Sequence, residues 1–181
     1  MKILVCPLSR VNDMVQMHRP DRVISMLDPE RPFPDLGAQY VDRHLRLAFH
    51  DVNVPSDDEV GPSSDHVRSV LRFVEAWDRG RPILIHCRAG ISRSTAAAYV
   101  VACAAYPESD EYAIAAVMRQ VAPLARPNET LVTLADAEMG RGGRMRAAIA
   151  KTGRDLPWID INEGEPFVMD VQSDGFGARG Q

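Results

Sequence analysis

Cys87 and Arg93 stand six residues apart in the stretch ILIHCRAGISRST, residues 83–95. A cysteine can attack as its thiolate. An arginine offers a planar fork that grips two oxygens of a phosphoryl or carboxyl group. Between them lie Arg88, Ala89, Gly90, Ile91 and Ser92. The small residues in this run let the backbone curl, with Gly90 free to take conformations closed to other residues. A curled backbone with inward N–H groups is an anion cradle. The types and spacing together fit nucleophilic attack on a phosphate ester.

Such chemistry needs elements that hold it. "PILIHC", residues 82–87, is short and almost wholly apolar, which predicts a strand covered on both faces, as in a parallel sheet. "STAAAYVVACAAY", residues 94–106, is apolar on all sides and predicts a buried helix stopped by Pro107. The turn at 88–91 then sits between the carboxyl end of a strand and a helix N-terminus near Ser92. Ligands of parallel α/β sheets bind at that end. Unpaired N–H groups and the positive end of the helix dipole favour an anion there. Thiols in such settings titrate between roughly 3.5 and 7.5, against about 8.5 when unperturbed.

On these residues the sequence resembles a known family. His86-Cys87-Arg88-Ala89-Gly90-Ile91-Ser92-Arg93-Ser94 is similar to the His-Cys-x-x-Gly-x-x-Arg-Ser/Thr signature of the cysteine-dependent protein tyrosine and dual-specificity phosphatases. The resemblance implies Cys87 as nucleophile and Arg93 as phosphate clamp, with loop positions 88–93 binding the phosphate. It implies that Ser94 helps the thiolate leave, and that His86 organises the loop and helps keep the thiolate ionised. Rhodanese-like sulfurtransferases also curl a loop around a cysteine, but their arginine comes sooner. Low-molecular-weight phosphatases carry their loop near the N-terminus, where Cys6 has Arg10 four places on and does not fit.

A phosphatase of this kind needs a carboxylic acid to protonate the leaving oxygen. Asp51, Asp57 and Asp58 stand 36, 30 and 29 residues before Cys87. Spacing favours Asp57 and Asp58 by comparison with the family. Strand position favours Asp51, which ends a predicted strand in "FHD" where tyrosine phosphatases carry Trp-Pro-Asp. Asp51 is the preferred acid, with Asp57 and Asp58 as alternatives. Arg126-Pro127-Asn128 resembles the Pro-Asn that opens a late helix and buttresses the loop in dual-specificity phosphatases. The resemblance spans roughly residues 40–140.

The rest of the chain supplies the frame. Strands are expected at 2–6, 22–28 and 44–52. A short helix is expected after 9, and a helix of about 15 residues, capped by Ser63 or Ser64, is expected to end at Gly80. Further helices follow, with Ser109 and Asn128 as caps, and "RMRAAIAK" adds another. The pattern predicts an α/β fold with a mostly parallel sheet of four to five strands flanked by helices on both faces, the cysteine phosphatase fold. It also predicts one domain over residues 1–151 and an irregular tail over 152–181, rich in Gly, Asp, Glu and Pro.

The 181 residues are 45% hydrophobic and 25% charged, with a net charge of −4. That acidity argues against a nucleic-acid partner. No stretch is long and apolar enough for a membrane span, and the N-terminal run is too short for a signal peptide. Three irregularly spaced cysteines point to free thiols and a cytoplasmic setting.

The expected substrate is a phosphorylated protein or a small phosphomonoester, with no cofactor and no metal, since loop amides and Arg93 stabilise the charge. A phosphotyrosine-binding module without turnover is one alternative. A phosphatase of small metabolites or inositol lipids is another, weakened by the single cation, Arg88, among the loop's variable positions. A reversible Cys6–Cys87 disulfide is a further possibility. The sequence carries no signal for an oligomeric state.

Overall fold

A computed structural model describes residues 1–153 and 162–171 of the chain. Strands β1 (Lys2–Pro7), β2 (Arg22–Leu27), β3 (His44–Ala48), β4 (Ile83–Cys87) and β5 (Phe167–Asp170) form one sheet in the order β3-β2-β4-β1-β5. The β2–β3, β2–β4 and β1–β4 pairs are parallel, and β5 runs antiparallel to β1. The central strands β1, β2 and β4 are buried on both faces, which explains their unbroken apolar runs.

The helices divide unequally between the faces. Helix α1 (Val11–His18) lays Val11 and Met14 on one face, against Leu4, Val23 and Leu84. The other face carries α2 (Ser64–Glu75), α3 (Arg93–Ala105), α4 (Glu111–Val121), α5 (Glu129–Glu138) and α6 (Arg144–Gly153). Helix α3 is sealed among them, buried from Arg93 to Cys103. Its alanines allow close approach, and the Tyr99 hydroxyl finds the Glu111 carbonyl at 3.1 Å. No described helix is long and apolar enough to cross a membrane.

Several boundaries differ from expectation. Helix α2 is capped by Ser63 in a reciprocal box with His66, and it ends at Glu75 rather than at Gly80. Beyond it, the Trp77 ring turns back to donate to the Arg81 carbonyl at 2.9 Å. Helix α4 is capped by Asp110, not Ser109: the Asp110 carboxylate accepts from Tyr112 N–H. Strand β3 stops at Ala48, so 49–52 already belong to the following loop.

The largest correction concerns the tail. Helix α6 runs to Gly153, and residues 167–170 are not irregular but form β5 on the free edge of β1. Met169 and Val171 are fully buried in the main core. Residues 154–161 and 172–181 of the tail lie outside the described residues.

Candidate active site

The sheet register sets the position of the signature cysteine. Cys87 is the last residue of β4, level with Pro7 at the end of β1. It is 1% exposed. The chain then turns over the end of β1. Gly90 has φ +73°, and a Cβ there would lie 2.7 Å from the Pro7 nitrogen and 2.9 Å from the Cys6 carbonyl carbon. No other residue fits without moving the loop off the sheet.

The outward carbonyls of this turn are each held by a different segment. Leu8 N–H donates to the Arg88 carbonyl at 3.1 Å, Gly164 N–H to Ala89 at 2.8 Å, and Arg126 N–H to Ile91 at 2.9 Å. A trans peptide is planar, so its N–H points opposite its C=O. Carbonyls drawn outward at 88, 89 and 91 therefore aim the N–H groups of 89, 90 and 92 inward. One of these is seen doing so: Gly90 N–H donates to Cys87 Sγ at 3.2 Å. Ser94 Oγ lies 3.1 Å from the same sulfur. The Thr95 hydroxyl, expected to be a plain first-turn residue, donates to the Ile91 and Ser92 carbonyls at 2.5 and 2.9 Å.

Arg93 opens α3 and is 2% exposed. Its Nη1 donates to the Phe49 carbonyl and pairs with Asp28 Oδ1 at 2.9 Å. Its Nε has no hydrogen-bond partner among the described residues, with Asp51 Oδ2 3.8 Å away. A buried charged donor left unmade costs about 1–3 kcal/mol or more. An oxyanion in the cradle is the group that would satisfy it.

Asp51 stands at the rim. Its Oδ1 accepts from Ser92 Oγ at 2.6 Å and from Asn128 Nδ2 at 3.0 Å. Asn128 also caps α5 through Leu131 N–H, so one amide ties the acid, the loop and the helix start. The loop after β3 is closed at its neck by His50: its N–H donates to the Val60 carbonyl and its Nδ1 accepts from Val60 N–H. Asp57 and Asp58 sit in an exposed turn of that loop. Of the three aspartates weighed, Asp51 is the one in contact with the signature loop and its arginine.

His86 is fully buried and faces away from Cys87, as alternation along β4 requires. Its Nε2 meets Ser25 Oγ at 2.5 Å, and its Nδ1 lies 3.5 Å from the Cys87 carbonyl. Burial pushes its imidazole down to about 4, so it is neutral at neutral pH. Any help it gives the thiolate is therefore through hydrogen bonding, not through a positive charge. The Arg88 side chain is exposed, and only its backbone joins the cradle.

Beside the cradle runs a cleft of about 730 Å³, bounded among others by Asp51, Ser92, Arg119, Arg126 and Ile149. Sequence reading missed Asp28 and Gly164, whose contacts join segments far apart in the chain.

Comparison with known proteins gives the family. Human protein phosphatase Slingshot homolog 3 is 36% identical over 84 residues, 46% of this chain and 12% of that protein. Its rat counterpart is 34% identical over 84 residues, 46% of this chain and 13% of that protein. The chain thus spans about an eighth of the length of these curated relatives.

Among solved structures, the human tyrosine phosphatase-like serine/threonine/tyrosine-interacting protein superposes with a TM-score of 0.60 at 18% identity, covering 77% of this chain and 91% of its own. DUSP15 does so at 0.59 and 17%, covering 86% and 92%. The Yvh1 phosphatase domain of Chaetomium thermophilum does so at 0.57 and 20%, covering 79% and 93%. At those identities they show a shared fold. The family described as "Tc-R-P: Polymorphic toxin system, DSP-PTPase phosphatase" matches residues 12–105, just over half the chain, and this protein belongs to it.

Proposed function

We propose that this chain hydrolyses phosphomonoesters, on a protein or a small molecule, through a phosphocysteine at Cys87. The observation that carries the reading is the buried Arg93 Nε, which makes no hydrogen bond among the described residues, beside a sulfur that receives the Gly90 N–H. In this reading the phosphoryl oxygens take the inward N–H groups of the loop and the guanidinium of Arg93. Cys87 Sγ attacks phosphorus, an S–P bond forms, and the P–O bond to the leaving group breaks. Asp51, protonated, gives its proton to the departing oxygen. In the second half Asp51 takes a proton from water, the water oxygen attacks phosphorus, and the S–P bond breaks. Ser94 Oγ, 3.1 Å from the sulfur, stabilises the thiolate as it leaves.

The cleft beside Asp51 supports a substrate that extends past its phosphate, and a phosphorylated polypeptide is the substrate class we favour. Three buried cysteines without disulfides support a reducing compartment such as the cytoplasm. The assignment of residues 1–151 as the catalytic unit is extended in this reading to include β5.

The test is Cys87→Ser with an aryl phosphate, without added metal. Hydrolysis should disappear while vanadate still binds. Activity retained in the variant, or a dependence on added divalent cation, would overturn the mechanism. Vanadate binding by the wild type without phenol release would make it a phosphate-binding module instead. A panel of phosphopeptides, phosphoinositides and nucleotides, run on wild type and Asp51→Asn, separates the substrate classes. Turnover confined to phosphoinositides would replace the polypeptide reading.

A further inference from the structure

Under the sheet, on the face covered by α1, a row of polar side chains crosses three strands. Ser25 of β2 lies between His44 of β3 and His86 of β4 and is fully buried. Its Oγ is 2.6 Å from His44 Nε2 and 2.5 Å from His86 Nε2. Arg46 Nε donates to His44 Nδ1 at 3.2 Å. His86 Nδ1 lies 3.5 Å from the carbonyl of Cys87.

The two ends of this row fix its direction. A guanidinium can only donate, so His44 Nδ1 is the acceptor and its ring proton sits on Nε2. That Nε2–H donates to Ser25 Oγ. A carbonyl can only accept, so His86 carries its proton on Nδ1, and its Nε2 is bare. The Ser25 hydroxyl has one proton, and it goes to that Nε2. Every donor and acceptor is used once, and both ends independently demand the same sense.

We propose that Arg46, His44 and Ser25 are positioning residues for the phosphatase reaction: their one-way chain of hydrogen bonds sets the tautomer of His86 and, through it, the orientation of the Cys87–Arg88 peptide. The link to the site is the planar peptide. With the Cys87 carbonyl turned toward His86 Nδ1–H, the N–H of Arg88 points the opposite way, into the cradle. The signature loop thus has four outward carbonyls held in place: 88, 89 and 91 by backbone N–H groups, and 87 by this buried row. The reverse tautomer of His86 would place a bare nitrogen against the Cys87 carbonyl, and that peptide would lose its anchor. Strands lie about 4.8 Å apart, so an exposed arginine at the sheet edge acts on the nucleophile's peptide from two strands away.

The kinetic consequence rests on the reading of Cys87 as nucleophile, but the tautomer does not. Both are tested together on the full chain. Long-range ¹H–¹⁵N correlation of ¹⁵N-labelled protein at pH 7.5 reads which ring nitrogen carries each proton. Histidines are assigned from His44→Gln and His86→Asn. The expected result is His86 protonated at Nδ1 and His44 at Nε2.

In Ser25→Ala the His86 signals should become those of a tautomer mixture. The kcat on an aryl phosphate should fall about tenfold, the effect of one lost hydrogen bond, with KM within about twofold. His44→Leu should behave likewise. His44→Gln, whose amide can both accept and donate, should recover most of the loss. Arg46 is exposed, so Arg46→Ala keeps the test available where the buried variants fail to fold, and it should unfix the His44 tautomer. His86 carrying its proton on Nε2 in the wild type overturns the proposal. So does Ser25→Ala with both tautomer and kcat unchanged. An inactive wild type showing the expected tautomers would leave the hydrogen-bond chain standing and overturn only its kinetic role.

Discussion

Asp28 Oδ1 meets Arg93 Nη1 at 2.9 Å, and the two residues come from strand and helix ends 65 positions apart. The Phe49 carbonyl accepts from the same nitrogen. Together they take one end of the guanidinium and leave Nε without a hydrogen bond among the described residues. Asp28 is therefore expected to orient the clamp without touching substrate. Asp28→Ala should lower kcat/KM about tenfold, the scale of one charge-assisted hydrogen bond. Asp28→Asn keeps an oxygen for Nη1 and should stay within about threefold. Equal losses in both variants would show that charge, not orientation, is what Asp28 supplies.

The acid assignment predicts a dependence on the leaving group. Asp51→Asn should slow an alkyl phosphate by about 10²- to 10⁴-fold, the range for a lost general acid. The loss should be smaller for an activated aryl phosphate, whose oxygen departs without a proton. Asp57→Asn and Asp58→Asn should leave both substrates near wild type. The comparison needs only steady-state rates on two substrates.

Acid should destabilise the fold through the buried imidazoles. His44 and His86 each sit near 4, against an ordinary value of 6.5, chiefly because burial disfavours the charged ring. Arg46 adds to the depression at His44, and His44 and Arg93 add to it at His86, while the Cys87 carbonyl opposes it. The unfolded chain then binds protons that the folded chain refuses. Stability is full above pH 6.5 and falls as the pH drops toward 4, by up to about 1.4 kcal/mol per pH unit for each ring. Urea midpoints at pH 7.5 and pH 5 measure this, and His44→Gln should flatten the slope.

Cys6 should not bridge to Cys87. The register places Cys6 opposite His86, with its side chain on the α1 face, while Cys87 packs into the core on the other face. Burial, followed by the neighbouring Cys87, pushes the Cys6 thiol up to about 12, so it is a poor partner for exchange. After mild peroxide, peptide mass spectrometry should find Cys87 as sulfenic or sulfinic acid. A Cys6–Cys87 crosslinked peptide would contradict this arrangement.

What could be read from sequence was local. The apolar strand, the small turn and the alanine-rich helix are continuous in the chain, so the cradle around Cys87 and Arg93 announced itself over thirteen residues. Asp51 was reachable because parallel sheets gather their strand ends on one edge. Asp28 was not, because its contact joins a strand end and a helix start that share no pattern. Strand β5 was hidden for a different reason. Its four residues lie among Gly, Glu, Asp and Pro, too few to show alternation, and what makes them a strand is the edge of β1, 165 residues earlier. The Ser25 row was invisible because its members look like ordinary strand residues until three strands are laid side by side.

The bond from Gly164 to Ala89 has a bearing on how the protein comes to life during synthesis. Every group assigned to the reaction has been translated by the time α3 is complete. The segment that steadies the outer side of the cradle is made only about sixty residues later, Ala105 and Gly164 being 59 positions apart. A nascent chain that has emerged only as far as α6 holds Cys87 and Arg93, but not the clasp that sets the Gly90 amide. The order in which the ribosome delivers the parts thereby postpones a fully held cradle until Gly164 has emerged, well after the Cys87 turn itself.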